Sequence, residues 1–212
     1  MKQVIIYDNF YGDGLAIRNL AIDMKYEEPR DKNYPGVNTE MSYFSDDMRE
    51  FFCWLTGENI DRSEGSACGH FRKTFVTDRS KQLIHVDLPN LKTVWAGVLY
   101  LNPDEHVVDE TGSYRDCGTK FWRHRRLGLE HLPMDPSIAA QYGFNSLDDV
   151  KKFMETDGID EKLWSETQRI PPKFNRLVVF RPWLWHSIGG QFGENDENCR
   201  LTQLFFFEPS NK

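Results

Sequence analysis

The sequence has few cysteines, no long apolar run and no excess of positive charge, and each shortage removes a class of protein. Its four cysteines, Cys53, Cys68, Cys117 and Cys199, lie far apart with no Cys-x-x-Cys pair. Neither a disulfide framework nor a zinc ribbon is expected, and a reducing cytoplasm suits them. No stretch of eighteen apolar residues occurs, and residues 1–10 lack the basic start and small-residue cleavage site of a secretory signal. Membrane spanning and export are therefore not expected. A formal net charge of −7 disfavours general affinity for nucleic acid, which rests on neutralising phosphates. The local exception, Arg123-His124-Arg125-Arg126, is short and reads as a solvated face or a clamp for an anionic substrate.

Aromatic residues at 14% and charged residues at 28% describe a folded soluble chain, and 212 residues suit one domain. Near the start, Val4–Tyr7 reads as a strand. Asp8 or Asn9 can then cap a helix with Ile17, Leu20, Ala21 and Met24 on one face. A second helix begins at Ser45, with Asp46 and Asp47 in its first turn, an apolar stripe Met48, Phe51, Phe52, Leu55, and Gly57 as its stop. Between them, Tyr34-Pro35-Gly36 reads as a turn.

After Gly69 the pattern changes to short segments rich in β-branched and aromatic residues. They are His70–Thr77, Gln82–Asp87, Thr93–Leu101, Thr119–Arg123, Arg176–Phe180, Leu184–Ile188 and Cys199–Phe207. No βαβ pattern accompanies them. A mostly β fold with flanking helices is expected, its core a double-stranded β-helix, that is, a cupin-like jelly roll. Residues 1–68 would form a helical N-terminal support for the core, 69–207. An insert, 124–174, carries one well-marked helix with Ser146 as cap, Leu147, Val150 and Met154 facing inward and Gly158 at its end. It is the candidate lid.

Three residues suggest a metal site. In Ile84-His85-Val86-Asp87, strand alternation places His85 and Asp87 on one face and Val86 on the other. With six histidines and eighteen aspartates in the chain, His-x-Asp arises by chance roughly half a time, so it needs corroboration. His186, among Trp183, Trp185 and Ile188, supplies a second imidazole. Two histidines and a carboxylate leave one face of an octahedral ion open, which suits ferrous iron taking a bidentate cosubstrate and oxygen.

Arg200 is the decisive companion. It lies in the apolar run Cys199–Phe207, on one face with Thr202, Leu204 and Phe206. An interior guanidinium there needs an anion, and its fork fits a carboxylate. A dicarboxylate chelating the metal at its other end would supply that anion, with Thr202 adding a hydroxyl.

The ordered set His85-Val86-Asp87, Leu99-Tyr100-Leu101-Asn102, Gly118-Thr119-Lys120-Phe121, His186 and Arg200 resembles the prolyl 4-hydroxylase-like branch of the iron(II)/2-oxoglutarate-dependent dioxygenases, over about residues 70–207. The resemblance implies a jelly roll binding Fe(II) through His85, Asp87 and His186, with 2-oxoglutarate held by Arg200. Tyr100 and Thr119 would also lie against that cosubstrate. The usual glycine pair is reduced to Cys117-Gly118, and Glu194–Asn198 lengthens the link from His186 to Arg200. The implied chemistry consumes O2 and 2-oxoglutarate and hydroxylates an unactivated carbon of an amino acid, a peptide or a small metabolite. Asp87 argues against halogenation, which needs that carboxylate position vacated. Trp122, Arg123 and Arg125 flank the threonine motif as candidate substrate contacts. Two alternatives stay open: a jelly-roll binding module in which His85 and Asp87 merely pair, and a 2-oxoglutarate-dependent demethylase of nucleic acid. The latter is disfavoured because no broad basic groove is visible. Oligomeric state and substrate have no readable signal.

Overall fold

The computed structural model describes residues 3–27, 35–78, 84–87 and 92–210. In chain order it begins with strand β1 (Val4–Asp8), helix α1 (Gly14–Asp23), strand β2 (Val37–Asn38), helix α2 (Asp46–Thr56) and strands β3 (Ile60–Arg62), β4 (Phe71–Thr74) and β5 (Trp95–Tyr100). One-turn helix α3 (Asp104–Val107), strand β6 (Thr119–His124), helices α4 (Pro136–Gln141) and α5 (Leu147–Thr156) and two 3-10 turns follow. Strands β7 (Trp164–Ile170), β8 (Arg176–Phe180), β9 (His186–Ile188) and β10 (Arg200–Pro209) come last.

The large sheet runs β1-β8-β5-β10-β4-β2, with β3 pairing β10 beside that path, and the small sheet runs β7-β6-β9. All these pairings are antiparallel. An isolated antiparallel bridge, His85↔His186, lays residues 84–87 beside β9. From β4 onward the chain therefore alternates between sheets: β4 in the large, 84–87 in the small, β5 back, β6 and β7 across, β8 back, β9 across, β10 back. That alternation is the double-stranded β-helix, and the fold is a jelly roll with flanking helices.

Side-chain alternation divides the large sheet into two packing layers. Trp95 and Leu99 of β5 join Ala21 of α1 and Phe52 and Leu55 of α2 in an apolar cluster, so the N-terminal helices cover the outer face. Ala96 and Tyr100 instead pack with Phe121 and Phe180, between the sheets. Helix α2 forms as its local chemistry dictates: Ser45 Oγ accepts from the Met48 amide at 3.3 Å, and Gly57 closes it at φ 75°, a left-handed conformation that glycine adopts without strain.

Several expectations are corrected. The cap of α1 is Asp13, whose carboxylate accepts from Ala16 N, because Asp8 is committed to Arg176 and Lys173 across the sheet. Leu20 is 42% exposed rather than packed. Residues 1–68 are not only helical support, since they contribute β1, β2 and β3 to the large sheet. The insert 124–174 contains β7, which pairs along β6 and so belongs to the core. Helix α5 does start from Ser146 but ends at Thr156, and Gly158 lies in the 3-10 turn beyond it. Of the segment expected as the strand Gln82–Asp87, the described residues 84–87 form one bridge; Gln82, Leu83 and the turn residue Tyr34 lie outside the described residues. No helix among the described residues is long and apolar enough to cross a membrane.

Candidate functional site

The backbone of 84–87 and the start of β9 are locked together: each of His85 and His186 donates its amide to the other's carbonyl at 2.9 Å. Alternation then does the rest. Val86 packs with Ile84, Trp122 and Met154 on one side, while His85 and Asp87 turn to the other. His186 meets them there, and one donor atom from each of the three lies within 4.8 Å of the others. His186 Nε2 is 3.2 Å from Asp87 Oδ2, and His85 Nε2 is 3.6 Å from Asp87 Oδ1.

The tautomer of His186 follows from its other nitrogen. Nδ1 lies 2.9 Å from the Leu184 carbonyl, which only accepts, so Nδ1 carries a proton. In the neutral ring, Nε2 then presents a lone pair to the carboxylate, an arrangement that requires a cation between or beside them. A proton serves, and so does a metal ion. Burial alone would raise the Asp87 carboxyl, but the His186 and His85 imidazoles outweigh it and hold the group below its ordinary value.

Three bonds pin this segment from behind: Ile84 N to Gly158 O at 2.9 Å, Asp87 N to Pro182 O at 2.8 Å, and Val86 N to Met154 Sδ at 3.4 Å. A Cβ on Gly158 would lie 2.4 Å from the Ile84 carbonyl oxygen, so the close approach needs glycine.

The triad opens into a cavity of about 510 Å³ between the sheets, whose opposite wall carries Arg200 and Thr202. Arg200 is 3% exposed, donates through Nε to the Cys117 carbonyl at 3.3 Å and lies 5.6 Å from the Tyr100 ring centroid. Among the described residues no carboxylate pairs with it, so none of them accounts for a guanidinium in so apolar a strand. The Tyr100 hydroxyl bonds Thr119 Oγ1, and burial raises the Tyr100 phenol. Thr202 Oγ1 is buried with no hydrogen-bond partner among the described residues. Arg200, Thr202, Tyr100 and Thr119 thus cluster by register, since Thr202 opposes Tyr100 across the β10–β5 ladder.

A family model described as "Family of unknown function (DUF6445)" matches residues 1–207. The chain belongs to that family. No curated protein matches in sequence. The chain is also similar to the crystal structure of HygX from Streptomyces hygroscopicus with nickel and 2-oxoglutarate bound, at 11% identity and a TM-score of 0.48, over 99% of this chain and 84% of that one.

In this DUF6445 chain, the three residues expected to contact substrate are elsewhere. Trp122 is buried under α5 and donates through Nε1 to Ser187 Oγ at 2.9 Å. Arg123 bonds the Gly128 carbonyl and Arg125 the Trp164 carbonyl, and none of the three lines the cavity. Thr119 and Phe121 face inward, but a register shift between Phe121 and Trp122 ends the regular alternation, and the arginines emerge at the surface. Sequence reasoning missed Arg72, which projects from β4 into the cavity with its Nε bonded to Asn38 Oδ1 at 2.8 Å. Its only sequence signal is alternation with the buried Phe71 and Lys73. The cavity wall formed by Leu147, Lys151, Met154 and Glu155 of α5 was legible as a helix face, not as a lining.

Proposed function

We propose that the chain is a non-haem iron(II) and 2-oxoglutarate-dependent oxygenase that hydroxylates a small molecule or peptide. The observation that carries this is one cavity holding a His-Asp-His set on one wall and, on the other, a buried arginine and a threonine hydroxyl that have, among the described residues, no carboxylate and no hydrogen-bond partner respectively. A buried cation and a buried unmet donor are both costly unless a ligand satisfies them. A dicarboxylate reaching from metal to arginine satisfies both.

The residues present fit the groups. His85, Asp87 and His186 would hold the metal through two imidazole nitrogens and a carboxylate oxygen, a set with room for other ligands. Ferrous iron bound there would supply oxygen activation coupled to oxidative decarboxylation of the cosubstrate to succinate and carbon dioxide. Leu184, through its carbonyl, keeps the His186 proton on Nδ1 and so keeps Nε2 available. Arg200 would take the far carboxylate of 2-oxoglutarate through its fork, Thr202 would donate its hydroxyl to the same group, and the Tyr100–Thr119 pair would border it. The apolar walls, among them Val98, Met154 and Phe180, would exclude bulk water from the reacting carbon.

The test is iron uptake together with oxygen-dependent conversion of 2-oxoglutarate to succinate by the purified protein, with and without added candidate substrates. Asp87→Ala should abolish both while leaving the far-ultraviolet circular dichroism unchanged. A binding module would show neither iron retention nor succinate, and turnover in Asp87→Ala would take Asp87 out of the site.

A further inference from the structure

The run Arg123-His124-Arg125-Arg126 does not fold as one basic patch. Its three arginines are exposed, whereas His124, the last residue of β6, is 1% exposed and packs against Phe153 and Trp164, the Trp164 ring edge-on at 4.7 Å. Both ring nitrogens are used. Nδ1 accepts from the Leu127 amide at 3.2 Å and so carries no proton. In the neutral ring the proton is therefore on Nε2, which donates to Asp157 Oδ2 at 3.1 Å. Burial holds the imidazole below its ordinary value, against the opposing pull of Asp157, and so favours that neutral form.

Asp157 leads from His124 to the triad. It opens the 3-10 turn Asp157–Ile159 directly after α5. Its carbonyl accepts from Trp164 Nε1 at 2.8 Å, and the next carbonyl, that of Gly158, accepts from the Ile84 amide at 2.9 Å. The hydrogen bonds form a closed circuit. Strand β6 pairs with β9 through Phe121↔His186, β9 bridges to residues 84–87 through His186↔His85, Ile84 bonds to Gly158, and Asp157 bonds back to β6 through His124. His85, Asp87 and His186 all lie on the segments it joins. Its other links are backbone bonds, whereas the side chains of His124 and Asp157 close it.

We propose that His124 is a positioning residue for the metal centre: by holding Asp157 it fixes the turn that anchors Ile84, and so sets His85 and Asp87 at the separation from His186 that one ion requires. This rests on the oxygenase reading above. Metal–ligand distances tolerate displacements of only about 0.2 Å. The described residues 84–87 pair with β9 through one bridge, which gives the Ile84–Gly158 bond a large share in their placement.

The experiment measures nickel affinity of the full chain by competition with a chelator, well below the melting transition, beside the melting temperature of the metal-free protein. Two substitutions split the ring's contacts. His124→Gln can still donate to Asp157 but gives up the Leu127 amide, and His124→Asn keeps an acceptor for that amide but does not reach Asp157. His124→Asn and Asp157→Ala should each lower nickel affinity at least about tenfold, the low end for outer partners of a metal site. His124→Gln and Asp157→Asn, which keep the link, should hold nickel within about threefold of native, whatever their melting temperatures. A merely structural histidine would lower the melting temperature in both His124 variants and leave nickel affinity alone. Native affinity in His124→Asn or Asp157→Ala therefore overturns the proposal, and so does an equal loss in His124→Gln and His124→Asn. If His124→Asn does not fold, the Asp157 pair decides: Asp157→Asn must hold nickel as the native protein does and Asp157→Ala must not. Failure of the native protein to take up nickel is a separate result, which would sink the oxygenase reading and this inference with it.

Discussion

Thr202→Val separates a cosubstrate contact from a structural one, because the two predict opposite signs. Thr202 is fully buried near the start of β10, between Tyr100 on β5 and Arg72 on β4, and among the described residues its hydroxyl has no hydrogen-bond partner. A buried hydroxyl left unmet costs about 1–3 kcal/mol, and valine removes it at nearly the same shape while retaining strand propensity. Without cosubstrate, Thr202→Val should therefore be as stable as the native protein or more so. A gain of about 1 kcal/mol raises the melting temperature of a chain this size by roughly 2–4 °C. With cosubstrate the sign reverses. A hydrogen bond to a carboxylate is worth about 1.5–3 kcal/mol, so affinity for 2-oxoglutarate should fall roughly ten- to hundredfold. Differential scanning calorimetry of the nickel-loaded protein reads the first effect and isothermal titration with 2-oxoglutarate the second. A variant that melts lower than native and binds 2-oxoglutarate equally well would refute the reasoning, because the hydroxyl would then be serving the fold.

Three further outcomes are expected. Arg200→Met should cost little stability without cosubstrate, since no ion pair among the described residues is broken, yet lower 2-oxoglutarate affinity by about thirtyfold or more in the same titration. Gly158→Ala places a methyl 2.4 Å from the Ile84 carbonyl. The backbone of 84–87 must shift, so nickel affinity measured by competition with a chelator should fall by more than the stability loss of about 1–3 kcal/mol explains. Arg176 and Lys173 hold the Asp8 carboxyl at about 2, against the opposing effect of burial. A depressed carboxylate stabilises fully above its unfolded value near 4 and loses that contribution as pH falls towards about 2. Asp8→Asn should flatten the decline of the urea midpoint across that window, and an unchanged slope would remove the clamp from acid unfolding.

How much was legible in the sequence depended on how far each feature's cause lies along the chain. The caps of α2 and α5 are local chemistry, and Ser45 and Ser146 behave as their sequences dictate. His85 and Asp87 share a face because period-two alternation holds across the described residues 84–87, which pair through one bridge. Arg200 was legible as an anomaly, a cation in an apolar strand. The cap of α1 was not, because Asp8 is claimed by Arg176, 168 residues away. Strand β7 was missed because Trp164–Ile170 is exposed along its middle and carries Ser-Glu-Thr-Gln-Arg, with no apolar face to announce it. Arg72 was invisible as a cavity residue since its place there comes from register with Thr202, and Trp122, Arg123 and Arg125 lie off the cavity because adjacency to a motif does not fix which side of a sheet a residue faces.

The insert bears on both stability and specificity, and its packing argues for a wall rather than a lid. Val150 and Met154 are buried among Phe144, Trp164 and Trp185, so swinging α5 outward would expose side chains worth about 1.5–3 kcal/mol each. The same movement would break Val86 N to Met154 Sδ and strain the Ile84–Gly158 bond. Both bonds hold the segment that carries His85 and Asp87. An opening of α5 is thus coupled to the geometry of the His85-Asp87-His186 cluster: admitting a substrate that way would loosen the metal centre proposed above. Access is less costly past Lys151 and Glu155, which line the cavity, are exposed and stand outside the apolar cluster that α5 joins. The helix that closes one side of the cavity is accordingly also the brace of the segment that carries His85 and Asp87, and, on the function proposed above, changes to its inward face should register in metal affinity before they register in substrate choice.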